Sequence, residues 1–139
     1  MGEAWKQILM MNKDKSQDKK ILVIDDEGDL LKLARTRLEA SGYRVLTLDS
    51  GDRAVEFAKS EKPDLILLDI VMPGKNGCEV CKELKDDKTT SPIPVIVFTA
   101  QYPEEEYVKT NTEEIGADDY VLKPFDAQEL LAKIKFLVK

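Results

Sequence analysis

Leu65-Ile66-Leu67-Leu68-Asp69-Ile70-Val71-Met72-Pro73-Gly74 is the stretch that decides how this chain folds. Four consecutive apolar residues bounded by turn signals describe a strand buried on both faces. The strand ends in a carboxylate. Aspartate is a poor strand residue, so its position at the end of the most hydrophobic strand needs a reason. Either Asp69 starts the turn that Met72-Pro73-Gly74 completes, or it is a reactive group. The second reading has a physical basis, because ligands and chemistry in open parallel sheets collect at the carboxyl ends of the strands.

Outward from this stretch the same pattern repeats. Toward the N-terminus, Ile21 to Ile24 is a short apolar strand followed by Asp25-Asp26. Asp29 to Ser41 is expected to be helical, with Leu30, Leu31, Ala34 and Leu38 on one face and Gly42 as its stop. Tyr43 to Leu48 reads as a strand. Ser50 can cap a helix running to about Ser60, burying Ala54, Val55 and Ala58, and Pro63 prevents its continuation. Toward the C-terminus, a helix is expected from Gly77 to Lys85 and a strand from Ile93 to Thr99. Pro103 then opens a weak helix, since Thr110, Asn111 and Thr112 are mediocre helix formers. Tyr120 to Leu122 is the fifth strand, and Asp126 with Glu129 forms a capping box for the last helix. Five strands alternating with five helices imply right-handed crossovers. The expectation is a doubly wound α/β domain over residues 19–139, its parallel sheet covered on both faces.

The chain of 139 residues suffices for one such domain and its core. A formal net charge of -6 weighs against direct, non-specific nucleic-acid binding, which relies on Lys and Arg neutralising phosphates. Two cysteines allow at most one disulfide, no apolar run is long enough to span a bilayer, and no signal-peptide core is present. A cytoplasmic setting, away from membranes, is therefore expected. Residues 1–18 stand apart as a flexible N-terminal leader, frayed or added to the natural chain, with Met10 or Met11 as alternative starts. The rival reading is a docking segment, since Trp5, Ile8 and Leu9 fall at helical spacing.

At the carboxyl ends of the expected strands stand Asp25 and Asp26, then Asp69, Thr99 and Lys123. All would face one crevice. Two like charges about 5 Å apart at an effective dielectric near 20 repel by roughly 3 kcal/mol. Three carboxylates there lower fold stability unless a cation neutralises them, and a few hard oxygen ligands suit Mg²⁺. A Lys ammonium and a Thr hydroxyl beside such an ion make a site for a dianionic phosphoryl group.

Over residues 19–139 the sequence closely resembles the receiver domains of two-component response regulators. The resemblance rests on Asp25-Asp26, on Asp69 with Met72-Pro73 and Gly77 after it, on Thr99-Ala100, and on Lys123-Pro124-Phe125. It implies a five-stranded (βα)5, flavodoxin-like sheet of strand order 2-1-3-4-5. It also implies that Asp69 is the phosphoacceptor and that Asp26 and Asp69 bind Mg²⁺ or Mn²⁺. Asp25 would act through a metal-bound water, and the Val71 carbonyl would complete the protein's ligands. Thr99 and Lys123 would bind the phosphoryl group. Thr99 and Tyr120 would form the switch, altering the surface near the expected fourth helix and the fifth strand. The Lys123-Pro124 bond is expected to be cis. The implied partner is a sensor histidine kinase or phosphotransfer protein, because this chain contains no His. A downstream protein target is implied as well. Such a domain is no enzyme in the ordinary sense, though it takes part in its own phosphorylation and slow autodephosphorylation. Val71 and Gln101 occupy positions expected to influence phosphoryl lifetime.

Other readings compete for particular residues. Cys78-Glu79-Val80-Cys81 has redox spacing, but it begins nine residues past Asp69 and shares a helical face with Leu84, which favours packing. Phe136 falls outside the buried arc of the last helix and leaves room for a homodimer or partner contact. The alternative function is a Mg²⁺-dependent phosphohydrolase with an aspartyl nucleophile. That chemistry needs a second Asp two residues after Asp69, where Val71 stands. A nucleotide-binding module would need a Gly-rich turn after the first strand, which instead carries Asp25-Asp26-Glu27-Gly28.

Overall fold

Leu65–Asp69 forms the middle strand of a five-stranded parallel sheet in the computed structural model, which describes residues 19–70, 72, 76–99 and 114–138. In chain order the strands are β1 (Lys20–Ile24), β2 (Arg44–Leu48), β3 (Leu65–Asp69), β4 (Val95–Thr99) and β5 (Asp119–Leu122). Their spatial order is β2-β1-β3-β4-β5, with every neighbouring pair parallel, as expected. Among the described residues four helices pack on this sheet: α1 (Gly28–Ala40), α2 (Ala54–Glu61), α3 (Gly77–Asp86) and α4 (Ala127–Leu137). The leader, Val71, Gln101 and the weak helix expected from Pro103 lie outside the described residues.

The period-two geometry of β3 divides the core. Ile66 and Leu68 face one side with Leu22, Ile24, Val80 and Leu84, under α2 and α3. Leu65 and Leu67 face the other with Ile21, Val23, Leu38 and Ile134, under α1 and α4. All four apolar residues of β3 are wholly inaccessible, which is why this strand carries no polar alternation.

Helix boundaries differ from the sequence reading in two places. α2 starts at Ala54, not Ser50, because Ser50 to Arg53 form a turn in which the Ala54 N–H donates to the Gly51 carbonyl at 3.2 Å. Gly and Asp are turn formers, and they outcompete the serine cap. α1 starts at Gly28, with Glu27 at the capping position but making no side-chain cap bond. At the other end of α1, Gly42 adopts a left-handed φ of 96°, as its stop position demands.

The amino-terminal rim of the sheet is tied by acids that accept strand N–H groups. The Asp64 carboxylate accepts from the Lys20 N–H at 2.8 Å. Asp118 Oδ2 accepts from the Val95 N–H at 2.8 Å and from Lys85 Nζ at 3.0 Å. Lys85 also donates to the Ile93 carbonyl at 2.8 Å, fastening the end of α3 to the entry of β4.

Candidate functional site

Parallel register brings the carboxyl ends of β1, β3, β4 and β5 level. Ile24 lies opposite Leu68, Asp69 opposite Phe98, and Thr99 opposite Leu122. Asp25, directly after β1, is fully buried, and Asp69 is 3% exposed. Lys123, just past β5, reaches both. Its Nζ stands 2.8 Å from Asp25 Oδ2, 3.3 Å from Asp69 Oδ2 and 3.4 Å from Glu27 Oε1. The second oxygen of Asp25 accepts the Glu27 N–H at 2.9 Å.

Local structure aims each of these groups. Behind Asp69, the first turn of α3 lies against the strand exit, where the Gly77 N–H donates to the Ile70 carbonyl at 2.9 Å. A Cβ at Gly77 would overlap the Asp69 carbonyl oxygen, so only glycine allows this approach. The Asn76 side chain caps α3 by accepting from the Glu79 N–H. Lys123 is followed by a cis Lys123-Pro124 bond, as expected. The Phe125 ring then stacks on Phe98 with centroids 5.8 Å apart, and Asp126 caps α4 by accepting from the Gln128 N–H.

The electrostatics follow from one ammonium facing three carboxylates. Burial alone would lower the Lys123 pKa. The Asp25 hydrogen bond and the charges of Asp25, Asp69 and Glu27 outweigh it and hold the ammonium above the ordinary lysine value. Two formal negative charges remain uncompensated by Lys123. One carboxylate oxygen from each of Asp25, Glu27 and Asp69 lies within 4.8 Å of the others. Hard oxygen donors with residual negative charge fit a small divalent cation.

The site brings together Asp25, Asp69 and Lys123, and adds Glu27, which the sequence reading did not place there. Its position in an unbroken run of three acids was the available signal. Asp26 is exposed and lies outside the group of three close carboxylates. Thr99 ends β4 at the same rim, though its side chain is outside the described residues, as is all of Val71. Tyr120 is partly buried in β5 and packs toward the α2 and α3 side of the sheet. Lys133 of α4 sits 4.8 Å over its ring and donates to its carbonyl at 2.6 Å.

The cysteines behave as packing residues. Cys81 is buried, its Sγ donates to the Ile115 carbonyl at 3.5 Å, and burial pushes its thiol up to about 11. Burial raises the half-buried Cys78 thiol as well, and neither cysteine is in a disulfide. Phe136 is 71% exposed, as the helical wheel expected. An acidic groove between α2 and α3, lined by Asp52, Glu56, Glu83 and Asp87, shares no residue with the strand-end site.

Comparisons with known proteins agree with this geometry. The response regulator receiver domain matches residues 21–135. Over 122 residues the chain is 43% identical to the alkaline phosphatase synthesis transcriptional regulatory protein PhoP of Bacillus subtilis, covering 88% of this chain and 49% of that protein. The chain thus spans about half the length of the curated relatives it matches. Among solved structures, Vibrio cholerae chemotaxis protein CheY4 superposes with a TM-score of 0.77 at 26% identity, covering 86% of this chain and 98% of that one. The receiver domain of sensor histidine kinase PA1611 from Pseudomonas aeruginosa PAO1, with a magnesium ion coordinated in its active site cleft, gives 0.78 at 27% identity, covering 86% and 97%. No described helix is long and apolar enough to cross a membrane. With a family match across most of its length, the matching strand order, and an acid-and-lysine pocket at the level strand ends, this chain belongs to the response regulator receiver domain family.

Proposed function

We propose that Asp69 accepts a phosphoryl group from a phosphohistidine on a sensor histidine kinase or phosphotransfer protein, and that the domain works in the cytoplasm as a two-component switch. The observation that carries this reading is the nearly inaccessible Asp69 carboxylate, 3.3 Å from the partly buried Lys123 ammonium and beside Asp25. An Asp69 oxygen attacks phosphorus in line, an O–P bond forms as the N–P bond breaks, and the partner's imidazole leaves with the electron pair. Lys123 balances charge on the transferred group and orients the acceptor carboxylate. Asp25 and Asp69, with Glu27 nearby and with Asp26 and the Val71 carbonyl by family resemblance, are the residues to hold Mg²⁺ or Mn²⁺. When bound, that ion supplies further neutralisation of the phosphoryl oxygens. Thr99 and Lys123 then hold the phosphoryl group. Tyr120 responds by turning, which shifts the surface near β5 and the segment after β4 between two states.

The domain is a phosphoacceptor that assists its own phosphorylation and slow autodephosphorylation. Its output passes to a downstream protein or to another part of a longer chain. The relatives are named as transcriptional regulators, so the -6 charge of this stretch does not argue against nucleic-acid contact by a protein of their length. The phosphohydrolase alternative is not favoured by the comparisons, and Val71 occupies the position its second Asp would need.

The test is phosphotransfer with Mg²⁺ from a panel of phosphorylated histidine kinases, read by intact mass. The wild type is expected to gain one phosphoryl group, and Asp69→Asn none. A mass shift surviving in Asp69→Asn removes the acceptor assignment.

A further inference from the structure

We propose that Glu27 is a positioning residue that occupies, on Lys123, the place of an incoming phosphoryl oxygen and must be displaced by it. The proposal rests on the reading of Asp69 and Lys123 given above. An ammonium has three N–H donors. Three carboxylates already stand around Lys123 Nζ, at 2.8, 3.3 and 3.4 Å. A phosphoryl oxygen that engages Lys123 therefore takes a donor direction from one of them.

The three differ in what leaving would cost. Asp25 has a fully buried side chain tied on its other oxygen by the Glu27 N–H, so losing its cation would leave an uncompensated buried charge. Asp69 carries the transferred group and stays. Glu27 has a side chain 63% exposed, and it can swing into water at the small cost of an exposed ion pair. Its backbone supports this role. Glu27 stands at the N-cap position of α1 yet makes no side-chain cap bond, so its carboxylate serves the pocket and not its own helix. The Glu27 N–H to Asp25 bond keeps the root of the side chain beside the site, ready to return when the anion leaves.

The full chain and its Glu27→Gln variant are titrated at low salt with beryllofluoride, a phosphoryl-mimicking anion, at Mg²⁺ concentrations that saturate both proteins, so that a change in cation affinity does not enter. Binding is followed by calorimetry and by the NMR signals of the Lys123 εCH₂ group. Glu27→Gln is expected to bind the anion about two- to fivefold tighter, the range an exposed ion pair allows. Its anion-free Lys123 signals are expected to lie closer to the anion-bound position than those of the wild type. The affinity gap closes as ionic strength rises, which a merely structural role would not produce. Equal or weaker binding by Glu27→Gln, with the wild type binding and Asp69→Asn not binding, overturns the role of Glu27 alone. Absent binding by the wild type, or undiminished binding by Asp69→Asn, overturns the Asp69 reading and this inference with it.

Discussion

The two rims of the sheet are built from the same parts, acids and lysines, in different ratios. At the amino-terminal rim Asp64 and Asp118 each accept the N–H of a strand's first residue, and Lys85 answers Asp118. Each of these three groups has a bonded partner, and the arrangement, with Lys20 Nζ donating to the Glu61 carbonyl, fastens the ends of α2 and α3 to the sheet. At the carboxyl-terminal rim one lysine serves Asp25, Asp69 and Glu27. Balanced charge makes a latch. Excess charge of one sign fits the receptor proposed above, for a cation and for the anion the cation attracts, at a cost in folding stability.

The sharpest way to break this comparison is at the joint that aims Asp69. Gly77→Ala would drive a Cβ into the Asp69 carbonyl and the Ile70 Cα, both backbone atoms. A loss of about 3 kcal/mol or more is expected in urea unfolding. A loss below about 0.5 kcal/mol would mean the carboxyl-terminal rim is not held by this close approach. Next in size is the contrast between the rims themselves. Asp118→Ala leaves the buried Val95 N–H without its acceptor and is expected to cost about 1–3 kcal/mol. Asp69→Asn, by contrast, relieves repulsion and is expected to melt no lower than the wild type in the absence of divalent cations. Mg²⁺ should raise the wild-type melting temperature and do so much less in Asp69→Asn. Equal destabilisation by the two substitutions would erase the distinction between latch and receptor.

The smallest effect is expected away from both rims, at Cys81. Its folded pKa of about 11 lies above the ordinary value of 9.0, so the neutral thiol is the form the fold prefers. Below about pH 9 that preference contributes fully to stability, and it fades as pH rises toward 11 because the unfolded chain ionises first. Between about pH 8 and 11 the wild type should lose on the order of 1–2 kcal/mol relative to Cys81→Ala in urea titrations. Parallel pH profiles for the two proteins would remove burial of the thiol as the cause.

Much of this was legible in the residue order. A run such as Leu65 to Leu68 can be satisfied only between two covering layers, so the central strand and the alternation around it followed from hydrophobic pattern alone. Asp25, Asp69 and Lys123 were found because each directly follows or ends such a strand, and parallel connectivity puts those ends on one rim. The start of α2 was misplaced because Ser50 is a sound cap in isolation, while the turn through Gly51 and Asp52 wins once the loop must span from β2 to the face of the sheet. Glu27 was not placed at the site because its pull toward Lys123 comes from a residue 96 positions away.

Local chemistry in the chain thus determined the strands, the helical faces and which acids would sit at strand ends, since these depend on neighbours within a turn or two. Only the tertiary structure decided that Lys123 holds three carboxylates and that Glu27 joins Asp25 and Asp69. It also revealed that Gly77 must lack a side chain to let α3 close on Asp69. Those outcomes depend on distances between segments far apart in sequence, and such distances exist only after the sheet has set its register.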